Sequence, residues 1–243
     1  KGLDANARLT ISGAEGNYKV NGKELTLSEG HNVVVGEATG AHLYEPGAID
    51  FASFTPTDEI IERVFGENVA AGITPVTVDS GNDQTLDENT SPGAVIVNGG
   101  TANLQGDKQL AVVKAEGTVN ITGASDSVVA SANVNVNLTG STYARLMQTA
   151  GEMTVQNYDY STGAGIQLTN ADVVSAVRDV LTFSGNNITL TEANDGPQIT
   201  MNDYTSSKEG VVNFYDLNGR KQTVAYAVNS GDKVDAFRSS SSS

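Results

Sequence analysis

The chain has 243 residues, 38% hydrophobic content, few aromatics and no Trp, which is long enough for one large β domain or two small ones. Its 29 acidic residues outnumber 14 basic ones, and a formal net charge of −15 excludes an electrostatic grip on nucleic acid or an anionic membrane. No Cys is present, so disulfides, thiolate metal sites and Cys nucleophiles are excluded, and no apolar run reaches the length of a membrane span.

Residues 1–78 read as a β-rich region with one short helix. Tyr18–Leu27 carries Asn21-Gly22 between two alternating runs, which suits a type I′ hairpin turn. Val33–Val35 reads as a buried strand. His31 and His42, the only histidines, lie near Glu37 and Glu45 without a recognisable spacing. Thr55 then offers a helix cap, Pro56 suits the first helical position, and Asp58 and Glu59 favour the positive end of the dipole. Ile60, Ile61, Val64 and Phe65 form one apolar face, and Gly66 ends it.

Residues 79–93 (DSGNDQTLDENTSPG) read as an acidic loop and a boundary. Asp79, Asp83, Asp87 and Glu88 are the candidate metal ligands, because oxygen donors at short spacing suit Ca²⁺. Their spacing matches neither an EF-hand nor a glycine-aspartate nonapeptide, and a solvated loop is the simpler reading. Beyond possible Ca²⁺, no cofactor is implied.

Residues 94–161 hold four ungapped 17-residue segments beginning at Ala94, Ala111, Val128 and Arg145. Ala102, Val119, Val136 and Met153 share one column, and Leu104, Ile121, Leu138 and Val155 share another. Asn103, Asn120, Asn137 and Thr154 lie between them, and Gln105, Thr122, Thr139 and Gln156 follow. This period-two alternation is that of a half-buried strand. Val95, Val112, Val129 and Leu146 form a further apolar column. Gly106, Gly123, Gly140 and Asn157 share a phase suited to positive φ at a corner. A fixed period implies units stacked on copies of themselves. Two architectures fit: an antiparallel meander of hairpins, or a parallel β-solenoid in which like columns become ladders. Stacked Asn columns favour the solenoid. The fold class expected is therefore mainly β: a parallel β-solenoid with 17-residue coils, flanked by β-hairpins and two short helices.

Tyr143, Tyr158 and Tyr160 cluster at the end of the repeats and are the candidate ligand-binding residues, since exposed tyrosines stack on sugars or anchor interfaces; packing of the turn column by some of them is the alternative. Residues 162–238 read as a helix from Ala171 to about Leu181, capped by Asn170, then a hairpin of Gly210–Asp216 and Lys221–Val228 about Asn218-Gly219. Glu192, Asn194, Asp195 and Asp203 form a weaker acidic set. Residues 239–243, all Ser, read as a disordered tail, and the start at Lys1 reads as that of a processed or trimmed piece.

No GxSxG, HExxH, P-loop or dinucleotide fingerprint is present, and the chain is expected to be non-enzymatic, with no catalytic residues. The GTVNITG and NVNVNLTG units, in a Cys-free background rich in Gly, Asn, Thr and Asp, resemble repetitive bacterial cell-surface β-solenoid proteins: adhesin stalks, S-layer-type proteins and autotransporter-like β-helices. The resemblance covers about half the chain and transfers no functional residues. It implies an extracellular or cell-surface structural or adhesive module that contacts glycans, other surface proteins or copies of itself, without nucleic acid or membrane insertion. A polysaccharide-acting β-helix enzyme or carbohydrate-binding module is the alternative. Rows of outward Thr and Asn also raise an ice-binding reading, but the columns as aligned mix Asn, Thr and Gln, whereas ice calls for a uniform array.

Overall fold

The structure is a computed structural model that describes residues 57–169, 181–192, 196–204, 211–215 and 221–228, and the strands at 9–11, 16–20, 23–27, 33–35 and 234–242. Four N-terminal strands form two small antiparallel pairs. β1 (Leu9–Ile11) pairs with β4 (Val33–Val35), and β2 (Gly16–Val20) with β3 (Lys23–Leu27). Val20 pairs with Lys23, so the two strands pair as the expected hairpin requires, while Asn21-Gly22 itself lies outside the described residues.

α1 (Thr57–Phe65) buries Ile60, Ile61 and Val64. It ends at Gly66, whose φ of 83° suits a residue without Cβ. A second short helix, α2 (Glu67–Ala70), follows at once; the sequence pattern did not show it. Of the helix expected from Ala171 to about Leu181, residues 171–180 lie outside the described residues, as do the cap at Thr55 and Pro56 at the first helical position; Leu181 begins a strand.

From Val76 onward the chain alternates between two sheets. One strand of each coil is β5 (Val76–Asp79), β7 (Gly93–Asn98), β9 (Gln109–Ala115), β11 (Ser127–Ala130), β13 (Arg145–Gln148) or β15 (Gly165–Gln167). The other is β6 (Asp83–Leu86), β8 (Thr101–Leu104), β10 (Gly117–Ile121), β12 (Val134–Leu138) or β14 (Glu152–Gln156). Within each set, neighbours pair in parallel. The fold is thus a parallel β-solenoid, and its first coil begins before residue 94. The stretch expected to be an acidic loop contains β6, which pairs with β8.

The C-terminal part closes the stack with antiparallel strands. β16 (Leu181–Ser184) and β17 (Asn187–Thr191) form a hairpin, β17 pairs with β18 (Gln198–Met201), and β18 rejoins the parallel ladder beside β14. β19 (Val211–Tyr215) pairs in parallel with β15, then antiparallel with β20 (Lys221–Val228), which pairs with β21 (Val234–Ser242). The result is an eight-stranded sheet facing a nine-stranded one. The serine run expected to be disordered extends β21, with Ser239–Ser242 opposite Lys221–Val224. Ladder pairing uses backbone groups, which Ser supplies as well as any residue.

The coil length is not constant. In the nine-stranded sheet the partners Val76–Val95, Val95–Ala111, Ala111–Val128, Val128–Leu146 and Leu146–Ile166 lie 19, 16, 17, 18 and 20 residues apart. A fixed 17-residue alignment therefore fails at its ends. Val95 sits beside Ala111 where Ala94 was expected, and Leu146 sits beside Val128 in place of Arg145. An irregularity between Val97 and Asn98 takes up the first shift. Longer corners before β13 and β14 cause the second: Met153 pairs with Val134, Val155 with Val136, Thr154 with Asn135 and Gln156 with Asn137. The predicted column of Val95, Val112, Val129 and Leu146 splits in two. Val95 and Leu146 line the core between the sheets, while Val112, Val129 and Met147 face outward and pack with Ile60, Ile61 and Val64 of α1.

Between the sheets lies one continuous apolar core, including Leu104, Val119, Ile121, Val136, Leu146, Val155, Ile166 and Ile199. At the corners, Gly140 (φ 76°) and Asn157 (φ 61°) take the expected positive φ, but Gly106 and Gly123 do not. They are needed for close approach: a Cβ on Gly123 would overlap the Gly106 carbonyl oxygen of the coil beside it. Lys108 (φ 54°), Ser125 (φ 60°), Tyr143 (φ 54°) and Gly163 (φ 83°) turn the other side of these corners in the left-handed region.

Candidate functional site

The outward side chains of the eight-stranded sheet form two ranks. In the first, register places Asp83, Thr101, Thr118, Asn135, Thr154, Thr200, Thr189 and Thr182 side by side on successive strands. In the second, Thr85, Asn103, Asn120, Asn137 and Gln156 are neighbours. Strand alternation sends the intervening Ala102, Val119, Val136 and Val155 into the core, where each is fully buried. The rank residues on β8 to β14 are half-buried except Asn135, which is exposed.

Hydrogen bonds along the stack fix these side chains. Asn103 Nδ2 donates to Thr85 Oγ1 (3.3 Å) and Asn120 Nδ2 to Asn103 Oδ1 (2.9 Å). Asn137 Oδ1 accepts from Asn157 Nδ2 (2.7 Å) and from Thr139 Oγ1 (2.9 Å). Thr189 and Thr200 share a 2.8 Å hydroxyl–hydroxyl bond. Asn120 and Asn137, each in an Asn-x-Thr sequence, are thus tied by their amides to neighbouring coils.

The predicted metal ligands are not brought together. Among the described residues no three His, Cys, Asp or Glu side chains converge on one point. Asp79 ends β5 and accepts from Asn98 Nδ2 at 3.2 Å, while Asp83 opens β6 and is exposed. Asp87 Oδ1 accepts from Asn89 N (2.9 Å) and Thr90 Oγ1 (3.2 Å), so it shapes its own turn, and Glu88 is exposed beside it. Strand geometry along the first coil separates acids that are close in sequence. Glu192 is buried and accepts from Thr169 N at 2.7 Å, a structural role; Asn194, Asp195, His31 and His42 lie outside the described residues.

The tyrosines also part company. Tyr158 is buried at 1% exposure, donates to Ala164 O (2.7 Å), accepts from Asn213 N (3.0 Å) and meets the Tyr204 ring edge-on at 5.2 Å. It therefore cannot serve as a sugar platform. Tyr160 is half-buried against the core. Tyr143 alone of the three is exposed, at 58%, and its ring lies across Gly163.

A shallow corner groove of about 410 Å³ is lined by residues including Glu88, Gln105, Asp107, Thr122 and Thr142. Behind its wall lies Asp126, which the sequence pattern did not single out. Its Oδ1 accepts from Gln109 N at 2.8 Å, but its buried Oδ2 has no hydrogen-bond partner. Burial pushes its pKa up to about 8, against the lowering effect of the Gln109 N–H and with a smaller push from Asp107. The neutral acid is therefore its dominant form at pH 7. In the preceding coil Gln109 fills the equivalent corner with a longer side chain, donating to Asp87 O and Thr90 O and accepting from Gly106 N.

On the outer face of the nine-stranded sheet, the Arg145 guanidinium lies 3.5 Å from the Tyr215 ring centroid, which ties the parallel stack to its terminal strands. Among the described residues no helix is long and apolar enough to cross a membrane. No protein-family model, curated protein or solved structure matches the chain.

Proposed function

We propose that the chain is a non-enzymatic structural or adhesive module of an exported microbial surface protein. The observation that supports this reading is the uninterrupted polar face of the eight-stranded sheet, whose ranks run across every coil on a scaffold with one continuous core. Such a surface contacts partners by area and repetition, the mode suited to attachment. The extracellular setting and the likeness to adhesin stalks and S-layer-type proteins rest on the Gly-, Asn- and Thr-rich texture of the repeat and on the lack of Cys.

The polysaccharide-acting alternative would centre on the corner groove, where Asp107 and Glu88 are exposed and Asp126 holds a proton. Asp126 Oδ2 is shut off from solvent, which counts against an acid–base role without a change in the corner. Two assays separate the readings. Display of the chain on a non-adherent cell is expected to make that cell stick to glycan-coated or abiotic surfaces. Incubation with soluble polysaccharides is expected to release no new reducing ends. Failure to adhere together with release of sugar would sink the structural reading.

A further inference from the structure

We propose that the Thr and Asn ranks of the eight-stranded sheet form an ice-binding surface. The proposal deepens the reading of the stack as an attachment module by naming the occupant of this face. It rests on the true register, which moves Thr154 out of the Asn rank and brings Thr200, Thr189 and Thr182 into line with it, while the second rank stays mixed as Thr85, Asn103, Asn120, Asn137 and Gln156.

Periodicity in two directions is the first argument. Six of the eight residues in the first rank are Thr: Thr101, Thr118, Thr154, Thr200, Thr189 and Thr182. Neighbours along the rank stand about 4.8 Å apart, the strand spacing, and the two ranks are about 6.6 Å apart, two residues along a strand. The first distance is close to the shorter repeat on a prism face of hexagonal ice, and the second is somewhat less than the longer one. A liquid or a compact ligand has no use for such a grid, whereas a crystal surface matches it at many points at once, and weak contacts then add.

Chemistry narrows the occupant. Each Thr offers a methyl group, beside which water is orientationally restricted, and a hydroxyl that both donates and accepts. Branching at Cβ restricts every Thr of the rank, the Thr189–Thr200 bond fixes two of them, and the Asn120–Asn103 bond ties part of the second rank, so less freedom remains to be lost on contact. The ranks are uncharged apart from Asp83 at the first coil, on a chain of net charge −15, while Glu116 and Glu152 stand at the margin. A neutral lattice suits this face better than an ionic one. No aromatic residue lies in either rank, so the stacking platform that sugars use is missing from this face. A second copy of the chain is disfavoured because the face has no apolar centre of the kind protein interfaces bury.

The test uses the purified full chain, fluorescently labelled, in slowly growing ice and in an ice-recrystallisation assay. Wild-type chain is expected to enter the ice and to hold crystal size. Thr118→Tyr, which breaks the plane at the centre of the rank, is expected to weaken the effect roughly tenfold, a loss of about 1.4 kcal/mol. Thr154→Lys serves as the second variant if the first does not fold by circular dichroism. Lys114→Tyr, exposed on the other sheet, is expected to behave as wild type. Exclusion of the wild type from ice would overturn the proposal, as would rank variants that match it. Binding to crystalline cellulose or chitin in place of ice would overturn it while leaving the attachment module intact. A concentration-dependent dimer abolished by Thr118→Tyr would overturn it in favour of a second copy.

Discussion

Asp126 shows how much one buried oxygen can dictate. Its folded pKa, about 8, stands above the ordinary value of 3.8, so the native state holds a proton that the unfolded chain has already lost across that window. Its contribution is complete below about pH 4 and declines as pH rises toward 8, by about 1.4 kcal/mol per unit at the steepest. Asp126→Asn keeps the neutral shape without the titration. Urea melts at several pH values are expected to show the variant equal to wild type near pH 4 and increasingly the more stable of the two toward pH 8. Equal pH profiles would mean that Asp126 ionises freely. Gly123 makes the complementary case for space. Gly123→Ala is expected to destabilise the fold by about 3 kcal/mol in denaturant titration, because the Gly106 carbonyl has nowhere to move without breaking a stacked corner. Tyr158→Phe would strand Asn213 N–H and weaken the satisfaction of Ala164 O, a loss of about 1–3 kcal/mol with no effect on any surface binding.

Elements differ in how far local sequence reports them. The α1 stripe, the Asn21-Gly22 hairpin and the alternation in β8, β10 and β12 follow from short-range rules, and all three were legible. What escaped was whatever depends on corners. One residue more or less at a bend leaves each strand's pattern unchanged but moves it along its neighbour, so Thr154 looked like a partner of Asn137 when it lies beside Asn135. The return of β18 to the ladder after the β16–β17 hairpin was equally hidden, and with it half of the Thr rank. The four candidate acids stand apart for a related reason. Proximity in sequence put four acids together, but the strands and turns of the first coil spread them along an edge. Nothing local separates the buried Tyr158 from the exposed Tyr143, because its hydroxyl is met by a strand some fifty residues on.

At the scale of the whole molecule, the two ends of the stack differ. One is closed by the antiparallel strands β16 and β17 on one sheet and β20 and β21 on the other. At the other, β5 and β6 pair on one side only among the described residues, and Asp79, Asp83 and Asp87 stand exposed along that coil. Charge on an open edge discourages pairing with another chain. The triple variant Asp79→Asn, Asp83→Asn, Asp87→Asn is therefore expected to associate at lower concentration than the wild type in sedimentation velocity. Coils are also interchangeable to a degree. Deleting residues 111–127 joins Leu110 to Val128, the residue after its own ladder partner Ser127, and is expected to leave a folded but less stable stack by circular dichroism. The same stacking has a mechanical consequence. Tension applied along the stack between Val76 and Tyr215 loads the ladder bonds of one coil at a time, like a zipper, instead of shearing many together. A tether built on this chain would then give way in steps, each releasing roughly 60 Å of extended backbone for about 18 residues, and would yield at low force as a shock absorber rather than resist as a rigid strut.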